Sequence, residues 1–403
     1  MTAWTRLATH RGWLQQETER LLAFGRNVGQ PGRGAAWLDD DGVPDPTNPT
    51  FTWITSRMVH VYSLGQLMGL PGCRQIAETC LSGLTGELRD SHGWGWFSAI
   101  DGGNDREAYA HAFVVLAASS ATIAGLPGAR ALLDDALGVM VDHFWDEDYG
   151  LVVDVVDVAT DTPTDYRGIN ANMHTVEAFL AAADATGDRV WARRAARIGQ
   201  FAMSQASGND WRLPEHFDPA WQPLLEYNAD QPADQFRPYG ATVGHGLEWA
   251  RLLLHIEATG EAPDVDWVGG AVALYDRALA DGWARDGEPG FCYTTNWQGE
   301  PVVRDRLHWV AAEAAAAAAV LHQRLGEERF AADYATWWDY IARYLIDSQR
   351  GSWHHELTPT NVPGNTVWDG KPDLYHAVQA TVIPRLPLAP GMTKAIAEQL
   401  WLT

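Results

Sequence analysis

Two kinds of helical pattern alternate along the chain. The stretches 111–125 and 308–322 are apolar on nearly every side and rich in alanine, which favours helix formation and close packing. They therefore predict buried helices. The other kind is amphipathic, with arginines on one face, and predicts helices that face solvent. Its clearest example has the apolar stripe Trp191, Ala195, Ile198 and Ala202.

The N-terminal part predicts one amphipathic helix followed by a loop. Apolar and charged positions alternate with helical spacing within residues 4–27. Residues 28–50 are dense in Gly, Pro and Asp, which predicts an irregular connection. A loop of this length is usually functional or mobile, and the sequence leaves open whether it closes over a pocket.

Short aromatic segments with glycines interrupt the helices at regular intervals, and they predict hairpins or extended loops. Their recurrence indicates a diverged repeat of about 60 residues, long enough for two helices and a loop. The segments are 92–103, 149–162, 208–218, 289–301 and 351–359.

Repeated buried and exposed helices without sustained strands predict an all-α fold. We expect an (α/α)6 barrel, a closed helical toroid with short hairpins or loops at one mouth. An open helical solenoid is the alternative. No linker or low-complexity tract divides the chain, so residues 1–403 are predicted to form a single catalytic domain.

Composition narrows the classes of partner. Hydrophobic residues make up 46% of the chain and charged residues 20%, which suits a globular protein. The formal net charge of −23 disfavours nucleic acid and anionic membrane surfaces, whereas small neutral substrates remain open. Neither a signal peptide nor a membrane-spanning run is apparent, and three cysteines without a CxxC motif fit a reducing compartment, so we expect a cytoplasmic protein.

Six of the fourteen histidines lie near the predicted starts of the buried helices. In a barrel they would surround one mouth. A helix N-terminus disfavours imidazolium, so such histidines are biased toward the neutral form that accepts protons. Part of the set is expected to do chemistry, and the rest to orient those residues or bind hydroxyls. The six are His60, His111, His174, His245, His308 and His376.

Two of these histidines belong to H-x-x-E pairs, His174 with Glu177 and His245 with Glu248. The members of each pair share a helical face. Together the pairs offer mixed imidazole and carboxylate ligands, but neither HExxH nor a cysteine cluster accompanies them, so no metal site is predicted.

A glycosidase would need two carboxylates flanking a glycosidic bond. Candidates are Glu248, Glu313, Asp369 and Asp373, and no motif singles out a pair. Twenty tryptophans suit core packing first and sugar stacking second. No Walker loop or dinucleotide fingerprint precedes a helix, so nucleotide cofactors are not indicated.

Five segments resemble motifs of the N-acylglucosamine 2-epimerase superfamily in the same order. The resemblance is closer to its aldose–ketose isomerase branch, which includes mannose isomerase and sulfoquinovose isomerase. It covers nearly the whole chain and implies an (α/α)6 barrel. The segments are TWITSRMVHVYSLG at 52–65, NANMHTVEAFL at 170–180, RPYGATVGHGLEWARLL at 237–253, RLHWVAAEA at 306–314 and WDGKPDLYHAVQA at 368–380.

The resemblance implies roles for individual residues. His245 and His376 would be the acid/base pair, one acting at C2 and the other at C1 or its oxygen. His174 would assist ring opening, Glu248 would orient and tune His245, and Arg57 would stabilise an enediolate oxygen. Contacts with sugar are implied for Trp53, His111, Asn172, Arg237, Trp309, Glu313, Lys371 and Asp373.

The function predicted from the sequence is a cofactor-independent aldose–ketose isomerase that interconverts D-mannose and D-fructose, and also D-lyxose and D-xylulose. Histidines suit each proton step and an arginine suits the charge, so the reaction requires no redox cofactor or metal. The alternatives are a sugar 2-epimerase of the N-acylglucosamine or cellobiose type, a glycoside hydrolase, and an inactive sugar-binding protein. Whether the protein is a monomer or a homo-oligomer is left open.

Overall fold

A computed structural model describes residues 3–402 apart from 101, 103 and 104. Wider helical turns at Met140–Phe144 and Ile341–Leu345 extend the fifth and eleventh helices. The helices of the described residues are α1 (Ala8–Phe24), α2 (Thr52–Leu67), α3 (Cys73–Leu84), α4 (Ala108–Ile123), α5 (Ala129–Val139), α6 (Ile169–Thr186), α7 (Val190–Ser207), α8 (Val243–Thr259), α9 (Trp267–Gly282), α10 (His308–Leu325), α11 (Glu328–Tyr340), α12 (Tyr375–Val382) and α13 (Met392–Ala397).

Six inner helices form a closed ring. The even-numbered helices α2 to α12 each contact the next, and α12 returns to α2. Each inner helix packs against one outer helix: α2 against α3, α4 against α5, α6 against α7, α8 against α9, α10 against α11, and α12 against α1. The predicted (α/α)6 barrel is confirmed, and the contact between α12 and α2 distinguishes it from an open solenoid.

Burial follows the two sequence patterns. In α10 the residues from Val310 to His322 are all buried, since this helix has protein on every side. The outer helix α7 buries Ala195, Ile198 and Ala202 and exposes arginine. The Ala-rich and the amphipathic stretches thus become inner and outer helices, as predicted.

Short antiparallel strands occupy the connections at one end of the barrel, where hairpins or loops were predicted. Of the predicted segment 92–103, residues 101 and 103 lie outside the described residues. The strands are β1 (Gly29–Gln30), β2 (Gly34–Ala35), β3 (Arg106–Glu107), β4 (Trp145–Asp146), β5 (Leu151–Val152), β6 (Val155–Asp157), β7 (Thr162–Pro163), β8 (Arg167–Gly168), β9 (His216–Phe217), β10 (Ala241–Thr242), β11 (Thr294–Thr295), β12 (Pro301–Val303), β13 (Arg306–Leu307) and β14 (Glu356–Leu357).

The strands fix where the inner helices begin. β3, β8, β10 and β13 lead directly into α4, α6, α8 and α10, and each pairs with a strand from the following connection: β6, β9, β11 and β14. An isolated bridge between Phe51 and Ala99 does the same before α2. The N-terminal ends of these helices are therefore held together at one mouth.

The 28–50 segment is partly ordered by its own contacts. It contains the β1–β2 hairpin, and Trp37 and Leu38 are buried. The Trp37 indole donates to the Asp369 carbonyl, and the Lys371 amide donates to the Leu38 carbonyl. Most of the segment is an irregular connection, as predicted, and it packs against 369–371 beside the mouth.

A second cavity of about 1630 Å³ lies at the other end, among the C-terminal halves of inner helices. The segment 383–394 lines it.

No described helix has the length and apolar run needed to cross a bilayer.

Two glycines in outer helices give a matched test of the packing. A Cβ on Gly83 of α3 would lie 2.3 Å from the Gly34 Cα, whereas nothing lies within 4 Å of a Cβ on Gly138 of α5. We expect Gly83→Ala to destabilise the fold by about 1–3 kcal/mol, because the hairpin backbone must move. Gly138→Ala should be neutral or stabilising by up to about 1 kcal/mol. Thermal midpoints at one scan rate measure both, and equal midpoints would contradict the packing.

Candidate active site

A cavity of about 620 Å³ opens at the mouth where the inner helices begin. Its walls contain five histidines, one arginine, two carboxylates and a set of aromatic rings. The histidines are His174, His245, His308, His355 and His376. Seven predicted site residues line this cavity together: Arg57, His174, His245, Glu248, Trp309, Asp373 and His376.

His245, in the first turn of α8, is held by a carboxylate from a different element. Its Nδ1 lies 3.0 Å from Glu215 Oε1 and 2.9 Å from Glu215 Oε2. Glu215 precedes β9 and is buried. The prediction that Glu248 orients His245 is wrong, since one helical turn carries the Glu248 side chain to His174 and Arg251 instead.

His376, at the start of α12, has the same arrangement with another partner. Its Nδ1 lies 2.9 Å from Glu313 Oε1, and Glu313 Oε2 accepts from Arg251 Nε at 2.9 Å. Burial and the cation of Arg57 hold the pKa of His376 well below its usual value, while Asp373 acts in the opposite direction. The ring is therefore neutral near pH 7 and able to accept a proton.

Arg57 of α2 presents a fixed cation to the cavity. One of its terminal nitrogens lies 3.0 Å from Asp373 Oδ2, and the other donates to the Tyr109 hydroxyl at 3.0 Å. The guanidinium also lies 4.8 Å from the ring centre of Trp53 and 4.7 Å from that of Tyr375. Burial acts to raise the pKa of Asp373, but the cation of Arg57 holds it below its usual value, so the pair stays ionised.

His174 and Glu248 lie side by side in the wall, with His174 Nδ1 3.9 Å from Glu248 Oε1. Burial, together with Arg57, holds the pKa of His174 well below its usual value. Burial and the neighbouring Glu313 raise the pKa of Glu248 well above its usual value, against the effect of Arg251. Both side chains are thus favoured in their neutral forms.

Three carboxylates, of which Glu248 and Glu313 are buried, surround Arg251 beneath the cavity. Its nitrogens lie 2.9 Å from Glu313, 3.4 Å from Glu248 and 3.9 Å from Glu177. Two groups of side chains here have ligand atoms close enough to share a cation: His174 with Glu177 and Glu248, and Glu248 with Glu313 and His376. Because the guanidinium already lies among these carboxylates, we assign the cluster to an internal ion pair network.

Aromatic rings form the remaining wall. The Trp309 ring lies 5.4 Å from that of His245 and 5.7 Å from that of His376. The rings of Phe236 and Trp368 contact each other at the mouth, with their centres 6.0 Å apart. Flat apolar faces beside hydrogen-bonding groups suit a ligand that is polar at its edges and apolar on its faces, such as a sugar ring.

Three residues predicted to contact sugar make hydrogen bonds within the fold. Asn172 exchanges two hydrogen bonds with the Val152 backbone and donates a third to the Gly168 carbonyl. His111 Nδ1 faces the Glu107 carbonyl, and its Nε2 accepts from the Trp96 amide. Lys371 is fully buried, donating to Asp347 and to two backbone carbonyls.

Three more predicted contacts lie behind the wall. Glu313 supports His376, and Trp53 packs on Arg57, so both act through another side chain. Arg237 lies over the Tyr166 ring at 4.0 Å, while Phe236 before it lines the cavity. His60 also departs from the predicted ring of histidines, since it lines the second cavity.

Several lining or supporting residues were not predicted. Asn170, two residues before Asn172, lines the cavity. His355 stacks on His308 with ring centres 3.8 Å apart and comes from a connection that was predicted only as a hairpin or extended loop. Glu215 lies in the segment 208–218, which was predicted as a hairpin or extended loop, and no sequence spacing relates it to His245.

Comparisons with known proteins agree with this geometry. The family model for N-acylglucosamine 2-epimerase (GlcNAc 2-epimerase) matches residues 34–380. A D-mannose isomerase from Thermobifida fusca is 52% identical over 98% of this chain and 99% of its own. One from Pseudomonas cannabina pv. alisalensis is 44% identical over 98% of this chain and 97% of its own.

Solved structures show the same fold. A D-mannose isomerase crystal structure has a TM-score of 0.86 at 28% identity, covering 93% of this chain and 97% of its own. The cellobiose 2-epimerase from Spirochaeta thermophila DSM 6192 has a TM-score of 0.79 at 21% identity, covering 98% of this chain and 100% of its own. The second likeness establishes the fold alone.

Asn170 and Asn172 give a matched test of which side chains belong to the cavity. We expect Asn172→Ala to lower the free energy of unfolding by about 1–3 kcal/mol, because it removes three buried hydrogen bonds. Asn170→Ala, on the cavity wall, should change it by less than about 0.5 kcal/mol. Denaturant unfolding of the two variants checks this, and a larger loss for Asn170→Ala would contradict the assignment.

Proposed function

Because this chain belongs to the N-acylglucosamine 2-epimerase family, we propose that it is an aldose–ketose isomerase that interconverts D-mannose and D-fructose. The observation that best supports this is the pair of cavity histidines, His245 and His376, each held through Nδ1 by a buried carboxylate. That contact leaves Nε2 of each ring available to a substrate. The identity to two D-mannose isomerases supports the choice of sugar.

The residues account for each step of the proposed reaction. His174 and Glu248, both neutral, assist opening of the pyranose ring by moving a proton between O1 and the ring oxygen. One histidine of the pair then removes the proton from C2, and the other exchanges protons at O1 and O2. The first histidine returns its proton to C1, which yields the ketose.

Arg57 is placed to stabilise the intermediate. Negative charge develops on the enediolate oxygens, and a guanidinium fixed by Asp373 and Tyr109 needs no rearrangement to interact with it. Hydrogen moves as a proton throughout, so the chemistry requires no redox cofactor. D-Lyxose is proposed as a second substrate, since it has the D-mannose ring without C6.

The alternatives have weaker support. A 2-epimerase would use the same groups but return the proton to C2, and the relatives with high identity are isomerases. A glycosidase needs two carboxylates free to flank a glycosidic bond. In the described cavity wall, Glu248 contacts Arg251 and Asp373 is paired with Arg57, while Asp369 is exposed outside it.

The carbon that receives the returning proton is identified by incubating the protein with D-mannose in deuterated water. We expect D-fructose carrying deuterium at C1, identified by NMR of the product, because the C2 proton exchanges with solvent on the histidine. D-Glucose with deuterium at C2 would show epimerisation instead. Absence of both exchange and product from D-mannose and D-lyxose would contradict the proposed function.

Alanine at either histidine tests the acid/base pair. His245→Ala and His376→Ala should each lower kcat by at least about 10²-fold, because a positioned acid or base contributes roughly 10²–10⁴. His92→Ala, at an exposed position outside the cavity, is the control and should keep normal activity. Circular dichroism should show the same fold in all three, and near-normal kcat in either cavity variant would remove that histidine from the mechanism.

A further inference from the structure

Glu356 is a buried carboxylate that bonds to one short segment of backbone. It begins β14 and is 1% exposed. Its Oε1 accepts from the Thr366 amide at 2.7 Å and also from the Thr366 hydroxyl. Its Oε2 accepts from the Val367 amide at 2.7 Å and from the Trp368 amide at 2.9 Å. Both oxygens are therefore engaged with three consecutive residues.

The segment that Glu356 holds lies mostly at the surface, since most residues of 362–369 are exposed. The neighbouring backbone bonds lie at its ends, where the Gly364 amide donates to the Glu356 carbonyl and the Asp369 carbonyl accepts from the Trp37 indole. An exposed segment with few buried contacts opens at low cost, and hydrogen bonds to a charged acceptor are stronger than neutral ones. The geometry of this segment therefore depends on the Glu356 carboxylate.

The ring of Trp368 is the part of this segment that lines the candidate active site. Its centre lies 6.0 Å from that of Phe236 and 6.0 Å from that of Trp53. On another side it stacks on Trp37, with ring centres 6.3 Å apart. These rings come from separate parts of the chain, so a shift of the Trp368 backbone would remove an aromatic face from the cavity wall.

An equivalent strand position in another repeat contacts the segment that carries Phe236. His216 begins β9 as Glu356 begins β14, and each pairs with the last residue before an inner helix. The His216 Nε2 lies 2.8 Å from the carbonyl of Pro238, two residues beyond Phe236. The same position in two repeats thus contacts the two segments whose rings meet at the mouth.

We propose that Glu356 is a positioning residue for the isomerase reaction, which fixes the backbone of 366–368 so that Trp368 forms one face of the sugar site. This rests on the proposed function for its substrate. The Glu356 side chain lies outside the described cavity wall and contributes no group to proton transfer. An aromatic face binds the sugar and the transition state about equally, so its loss raises KM and leaves kcat nearly unchanged.

Glu356→Gln and Asp146→Ala are the matched variants. Glutamine leaves one oxygen as an acceptor, so the amides that face the other oxygen lose their partner. Asp146→Ala also removes carboxylate bonds to backbone, those to the Asp148 and Tyr149 amides in the turn after β4, away from the cavity wall. We expect Glu356→Gln to raise KM for D-mannose at least about fivefold and to change kcat less than about threefold. Asp146→Ala should change neither.

Trp368→Ala tests whether Glu356 acts through this ring. It should raise KM at least as much as Glu356→Gln does. The double variant should have the KM of Trp368→Ala alone, because without the ring the carboxylate has nothing to position. Circular dichroism checks the fold. If Glu356→Gln does not fold, Thr366→Val, which removes only the hydroxyl bond, takes its place in the cycle with a rise in KM of at least about twofold.

Fluorine NMR of protein labelled with 5-fluorotryptophan gives a measurement that needs no turnover. Trp368→Phe assigns the Trp368 signal by its loss. Glu356→Gln, or Thr366→Val in its place, should shift or broaden that signal, because the ring leaves its contacts with Phe236 and Trp37. Asp146→Ala should leave the signal unchanged.

An unchanged KM in Glu356→Gln, or KM effects that multiply in the double variant, would overturn the proposal. The two hypotheses are separated by the fluorine signal. A changed Trp368 signal in a protein that converts neither D-mannose nor D-lyxose would reject the proposed function and retain the positioning of Trp368 by Glu356. Isomerase activity with an unchanged Trp368 signal would overturn the role of Glu356 alone.

Discussion

One buried guanidinium organises the centre of the barrel. Arg251 of α8 contacts Glu177 of α6 and Glu313 of α10, and these carboxylates in turn contact Tyr375 and His376 of α12. Four of the six inner helices are thereby joined through a single cation. A charge this deep is tolerated only when paired, so the network constrains how the helices pack at that level.

The same network separates two environments. Glu248, on its upper side, lines the cavity at the N-terminal mouth, whereas Glu177 and Arg251 line the cavity at the opposite end. The position of Arg251 also fixes the orientation of His376 through Glu313. The structural centre and the candidate site are therefore one assembly, and a change in the ion pairs would reach the proton-transferring groups.

Much of the fold was predictable because it depends on periodicity. Apolar runs such as 308–322 predict helices that are buried on all sides, and the regular recurrence of these runs predicts a ring of such helices. The site was less predictable because it depends on direction. Successive helical residues differ by about 100°, so Asn170 faces the cavity while Asn172 bonds to β5. The spacing between repeats varies along the chain, so it does not predict which of two nearby residues faces the cavity.

The direction of the side chain also decides which of the predicted histidines line the cavity. His174, His245, His308 and His376 line the cavity, but the His111 ring turns to the Trp96 amide, and His60 lies in the middle of α2. The contact between Glu215 and His245 could not be predicted for a different reason. It is separated from His245 by 30 residues and comes from a connection, so only the pairing of β8 with β9 places it. Local spacing carries no information about such a contact.

The electrostatics of the cavity suit a reaction intermediate better than a sugar at rest. The N-terminal ends of the inner helices, which carry partial positive charge, surround the cavity together with the cation of Arg57. Asp373 is already paired with Arg57, and Glu248 is favoured neutral, so little negative charge opposes them. A neutral sugar gains little from this field, whereas an enediolate gains much. Differential stabilisation of this kind accelerates a reaction, because it lowers the barrier without deepening the substrate-bound state equally.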